Sequence, residues 1–73
     1  MPPIAPIKRR KFIRYLKQCG FTGPYSGKRH EKMLHPDGRW LILPNPHESD
    51  IGSEFLLILI KQAGVSREDW ESL

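Results

Sequence analysis

The chain has 73 residues, 38% hydrophobic and 27% charged, which describes one small globular domain over residues 1–73 and excludes a two-domain, cofactor-binding enzyme. Twelve Lys and Arg against eight Asp and Glu give a formal net charge of +4, so the partners to consider are polyanions: nucleic acid, an anionic membrane surface or an acidic protein. The single cysteine, Cys19, excludes an internal disulfide framework and a multi-cysteine zinc site.

Pro2, Pro3 and Pro6 make residues 1–6 an extended arm. This arm lacks the basic flank and apolar centre of a signal peptide. The longest apolar run, Phe55 to Ile60, is far short of the roughly 20 residues that cross a bilayer. A cytoplasmic location is the expectation, and one free thiol suits it.

From Ile7 to Cys19 the pattern predicts a helix. Phe12, Ile13, Leu16 and Cys19 fall on one stripe, and Lys8, Arg9, Arg10, Lys11, Arg14 and Lys17 occupy most of the rest. Gly20 is the natural stop. Phe21 and Tyr25 suit a short strand, which Pro24 confines to a sheet edge because it lacks an N–H. Lys28 to His35 and Arg39 to Leu43 flank Asp37-Gly38, a strong signal for a two-residue hairpin loop. In that register His35 faces Trp40, Leu34 faces Leu41, Met33 faces Ile42 and Lys32 faces Leu43. His30 then comes opposite the segment that ends in His47.

Pro44 and Pro46 end the third strand, and the loop from His47 to Asp50 leads to a second helix with Ser53 as its N-cap. Leu56, Leu59, Ile60 and Ala63 form its core stripe, and Gly64 closes it. Ser66-Arg67-Glu68-Asp69 has the form of a capping box and starts a last turn carrying Trp70. The expected order is helix, three antiparallel strands, helix and a C-terminal turn.

Four features could carry function. The basic run from Lys8 to Lys17 contains no acid, so no i,i+4 pair offsets it and binding to phosphates or to an acidic partner is favoured over an ordinary solvated face. His30 follows Lys28 and Arg29; a histidine is the simplest acid or base near neutral pH, and two cations beside it could hold a phosphodiester. Taken alone, that tetrapeptide is better explained by an edge-strand histidine beside solubilising charges. His30 together with His47 could supply a base and an acid on either side of one phosphodiester. Such chemistry needs no metal or cofactor and acts only on RNA, which alone has the 2′-OH. His35 is a weaker candidate beside the turn, and the three histidines have no zinc-ligand spacing. Finally, Phe55, Leu57 and Ile58 make the second helix apolar beyond one stripe. With Trp70 they mark either a surface for another protein, including a second copy of this chain, or complete burial under the C-terminal turn.

In this order the segments resemble the HicA-type (YcfA-like) mRNA interferase toxins. Phe12-Ile13-Arg14-Tyr15-Leu16-Lys17-Gln18-Cys19-Gly20-Phe21 resembles the family's opening helix and Gly-Phe step. Gly27 to His30 stands at its Gly-Ser-His-type segment, and His35-Pro36-Asp37-Gly38 at its hairpin turn. Leu43-Pro44-Asn45-Pro46-His47 resembles its strand end, and Leu59 to Ser66 its closing segment. The resemblance implies an α+β fold like the double-stranded RNA-binding domain, α-β-β-β-α, with a three-stranded antiparallel sheet and two helices on one face. It implies a ribonuclease toxin of a type II toxin–antitoxin pair that cuts mRNA, neutralised by a HicB-type antitoxin, with His30 catalytic by position. The role of His47 is inferred from hairpin geometry. One departure stands out: the position commonly held by serine before the histidine is Arg29, preceded by Lys28. Arginine can stabilise a phosphorane-like transition state that serine cannot, and it equally fits a copy whose activity has weakened while RNA binding remains. The alternative is a non-catalytic RNA-binding or adaptor module on the same fold. A DNA-binding protein is disfavoured, because a three-stranded sheet supplies no helix-turn-helix.

Overall fold

A computed structural model describes residues 4–27, 30–43 and 50–73. In chain order the elements are β1 (Ile7–Lys8), α1 (Arg9–Gln18), β2 (Thr22–Ser26), β3 (Glu31–Leu34), β4 (Trp40–Ile42), β5 (Asp50–Ile51), α2 (Ser53–Gln62) and α3 (Arg67–Glu71). Strands β2, β3 and β4 form an antiparallel sheet in that order, so the expected α-β-β-β-α arrangement is present. β2 is an edge strand, as Pro24 requires.

One face of the sheet is covered. Met33 and Leu41 are direct cross-strand partners and both are buried. They join Phe12 and Leu16 of α1 and Leu56, Leu59, Ile60 and Ala63 of α2 in one core, the two stripes anticipated from periodicity. Among the described residues the buried set is wholly apolar. Trp70 is fully buried there, with its ring centroid 5.7 Å from Phe12 and 5.3 Å from Tyr15. Of the two readings open for Trp70, burial is the one observed: α3 closes the core over α1. Ser66 caps α3 by accepting from the Asp69 N–H at 3.0 Å. Phe55, Leu57 and Ile58 remain exposed on α2.

Three local expectations are corrected. The hairpin register is shifted by one: Leu34 pairs with Trp40, Met33 with Leu41 and Lys32 with Ile42. The His35 carbonyl accepts from Gly38 and the His35 N–H donates to Arg39, so the loop is Pro36-Asp37-Gly38. Proline fixes a negative φ that suits the first central position of a type I turn, and only Gly38 takes positive φ, at 99°. The pairing puts Met33 and Leu41, both apolar, on the same side. Secondly, the first helix begins at Arg9, because Ile7–Lys8 is extended and pairs with Asp50–Ile51. Thirdly, the N-cap of α2 is Gly52, whose carbonyl accepts from the Leu56 N–H; Ser53 is already helical. Of the N-terminal arm, residues 1–3 lie outside the described residues and Ile4 packs against the core.

A polar clamp ties the β3-β4 turn to both helices. Gly20 ends α1 at φ 97°, and a Cβ there would lie 2.8 Å from His35 Nε2. The Arg39 guanidinium donates to the Ala63 carbonyl at 2.9 Å and to Asp37 Oδ2 at 2.7 Å, and lies over the Phe21 ring. Arg39 thereby satisfies a carbonyl that the end of α2 would leave open.

Candidate active site

His30 is exposed and immediately precedes β3, at the end of the loop that leaves β2. Its neighbour Glu31 is anchored on three sides. The residue pairs with Ser26 across the β2-β3 ladder, its carbonyl accepts from the Leu43 N–H at 2.8 Å, and its carboxylate is ion-paired with Arg9 at the start of α1. On the other side Gly27 passes so close that a Cβ there would sit 2.5 Å from the His30 carbonyl oxygen. Any larger residue at 27 would push the histidine away. The imidazole thus reaches solvent from a main chain held in place, which is what an acid/base group acting on a large substrate needs.

Lys28, Arg29 and His47 lie outside the described residues. The residues that bracket the segment of His47 are described, however. Leu43 is hydrogen-bonded to Glu31, and Asp50 pairs with Lys8, which adjoins Arg9. Since Arg9 grips Glu31, Leu43 and Asp50 are both tied towards the end of the sheet where His30 stands.

The basic run divides. Arg9 is half-buried and committed to Glu31. Lys8, Arg10, Lys11, Arg14 and Lys17 are exposed and make no ion pair among the described residues. Arg10, Arg14 and Lys17 recur at helical spacing on one side of α1. The first turn of α1 carries Arg9, Arg10 and Lys11 and no acid, against the preference of a helix N-terminus for negative charge. Arg9 has its counter-charge in Glu31, whereas Arg10 and Lys11 make no ion pair among the described residues and stand exposed to an anionic partner.

His35 is engaged inside the domain. Its Nε2 donates to the Cys19 carbonyl at 3.2 Å, its Nδ1 is 3.2 Å from the Asp37 N–H and 2.9 Å from Asp37 Oδ1, and its ring meets Phe21 edge-on. With both nitrogens occupied it serves the turn. The thiol of Cys19, at the C-terminus of α1, is pushed up by burial.

Sequence reasoning missed the Glu31–Arg9 pair, the close approach at Gly27 and the clamp of Arg39. The first joins residues 22 apart and leaves no local trace. An Asp two residues before an Arg at a turn was the available signal for the last.

The fold and site define a class: a small basic α+β domain presenting a histidine at one end of a three-stranded sheet. The family model described as the HicA toxin of bacterial toxin–antitoxin systems matches residues 9–65, and the chain belongs to that family. That span runs from the Arg9 anchor to Val65 and includes His30 and the α1 cations from Arg9 on. The chain matched none of the curated proteins with which it was compared. No helix among the described residues is long and apolar enough to cross a membrane.

Proposed function

We propose that this toxin is a metal-independent endoribonuclease that cuts mRNA, with His30 as its central acid/base. The observation that carries the reading is the exposed His30 on a main chain clamped through Glu31 and Gly27, in a chain of the HicA family. In the reaction, His30 takes the proton from a 2′-OH and the freed oxygen attacks the adjacent phosphorus. The bond to the 5′ oxygen breaks, and that oxygen leaves with a proton supplied by His47. The products are a 2′,3′-cyclic phosphate and a 5′-OH. Lys28 and Arg29 hold the phosphate and its developing charge. Lys8, Arg10, Lys11, Arg14 and Lys17 bind the backbone further along, while Arg9 acts through Glu31 as a positioning residue.

The antitoxin is read as a HicB-type protein whose acidic or carbonyl-rich surface competes with RNA for the same cations and covers His30. This mode of inhibition needs no conformational change in the toxin. The exposed apolar residues Phe55, Leu57 and Ile58 are assigned to weak self-association.

Expression in growing bacteria tests the enzyme reading. The wild-type chain is expected to arrest growth and His30→Ala to relieve the arrest at equal protein level. Arrest by both, or RNA binding without cutting by the wild type, favours the adaptor module.

A further inference from the structure

The helices cover one face of the β2-β3-β4 sheet, and the opposite face is open. Pairing places Thr22, Leu34 and Trp40 in one row across it, and Tyr25, Lys32 and Ile42 in the next. All six are exposed, Trp40 at 55% and Tyr25 at 46%. A solvated face of an antiparallel sheet ordinarily presents polar residues. Here four of the six are aromatic or aliphatic, the polar ones are a lysine and a threonine, and none is acidic.

The edge strand is shaped to present its aromatic residue. Thr22 pairs with Leu34 and Tyr25 with Lys32, so β2 holds one extra residue between them. Without that bulge, residues three apart would point to opposite faces. Gly23 makes the bulge at φ 120°, where a Cβ would lie 3.0 Å from the Lys32 carbonyl oxygen. Tyr25 therefore shares the open face with Thr22, and its hydroxyl donates to Thr22 Oγ1 at 3.1 Å.

Trp40 and Tyr25 sit on the two edge strands, about 12 Å apart by strand spacing and rise. Lys32 lies on the strand between them. Aromatic faces flanking a cation, with no carboxylate, match the bases and phosphates of a single strand. A duplex, whose bases stack on one another, cannot offer them. An apolar protein segment laid here would bury the Lys32 ammonium without a counter-charge, which disfavours that occupant. The platform is also continuous with the site: Lys32 is two residues beyond His30, so their Cα atoms are at most about 7 Å apart.

We propose that this open face is a base-stacking platform for single-stranded RNA. Trp40 and Tyr25 each take a base and Lys32 holds the phosphate between them, leading the strand to His30. The choice of RNA over other single strands rests on the ribonuclease reading.

Binding is measured by fluorescence anisotropy of a labelled single-stranded RNA, using His30→Ala protein so that the probe stays whole. Adding Trp40→Ala is expected to weaken binding roughly 5- to 150-fold, the effect of losing one base–aromatic stack, whereas Trp40→Phe retains most of the affinity. Affinity for a blunt RNA duplex stays the same. Trp40 is over half exposed, so far-ultraviolet circular dichroism should be unaltered by either change. Single-strand affinity unchanged by Trp40→Ala overturns the proposal, as does an equal loss for strand and duplex. Self-association abolished by Trp40→Ala with RNA affinity intact also overturns it and gives the face to a second copy. The assay requires no cleavage, so a selective loss supports the platform even if the wild-type chain cuts nothing. A wild type that cuts RNA while Trp40→Ala binds normally leaves the ribonuclease and removes the platform.

Discussion

Trp70 offers the sharpest test of how the domain is held together. It is fully buried against Phe12 and Tyr15 of α1, and its indole Nε1 has no hydrogen-bond partner among the described residues. Trp70→Ala opens a cavity and removes both ring interactions, for an expected loss of about 3–5 kcal/mol. A domain of this length has a total stability of roughly 4–11 kcal/mol, so the variant should be marginal. Trp70→Phe behaves differently. It gives up part of the buried area but also removes an unpaired donor whose burial is unfavourable by about 1–3 kcal/mol. The two effects nearly offset, and a net change within about 1 kcal/mol is expected. Urea unfolding followed by circular dichroism gives both values, provided the m-value is unchanged. The reasoning is refuted if Trp70→Ala loses less than about 1 kcal/mol, or if Trp70→Phe loses as much as Trp70→Ala.

Gly64→Ala should destabilise by about 1–2 kcal/mol from the backbone alone, because φ is 70°; the new Cβ would also lie 2.9 Å from Arg39 Cδ, and thermal or urea unfolding checks the sum. The Arg39 N–H bonded to Asp37, and then the Arg39 guanidinium, hold the Asp37 carboxyl below its usual value of 3.8. A depressed carboxyl contributes stability that is present above its unfolded pKa and is lost as pH falls through the folded one, so this contribution disappears below 3.8. Asp37→Asn should therefore show a smaller drop in urea midpoint on acidification than the wild type. Replacing Lys11 and Arg14 by Ala should weaken binding to all RNA sequences alike and lower the slope of log K against log salt by about 0.7 for each phosphate no longer neutralised.

Much of the core was legible because it is built from local periodicity. Phe12 and Leu16, then Leu56, Leu59, Ile60 and Ala63, are one-face stripes whatever they pack against. Gly20 and the Ser66 cap were legible for the same reason, since each satisfies its own helix end. The hairpin shows where a local signal misleads. Asp37-Gly38 suggests a two-residue loop, but Pro36 takes the first turn position and moves every pair by one. That shift sets the open face, because Trp40 comes opposite Leu34 rather than His35. The β1–β5 pairing and the Arg9–Glu31 ion pair depend on residues far apart in sequence, and neither leaves a pattern in one segment. His30 was legible as a candidate from its cationic neighbours. What fixes its main chain, Glu31 and Gly27, emerged only from the packing.

The central claim is metal-free cutting of RNA through His30. Its most direct test is incubation of the purified chain with mRNA in EDTA, followed by identification of the new ends. The account predicts fragments ending in 2′,3′-cyclic phosphate and 5′-OH from the wild type, and none from His30→Ala at equal folded concentration. Cutting by His30→Ala at the wild-type rate would contradict it.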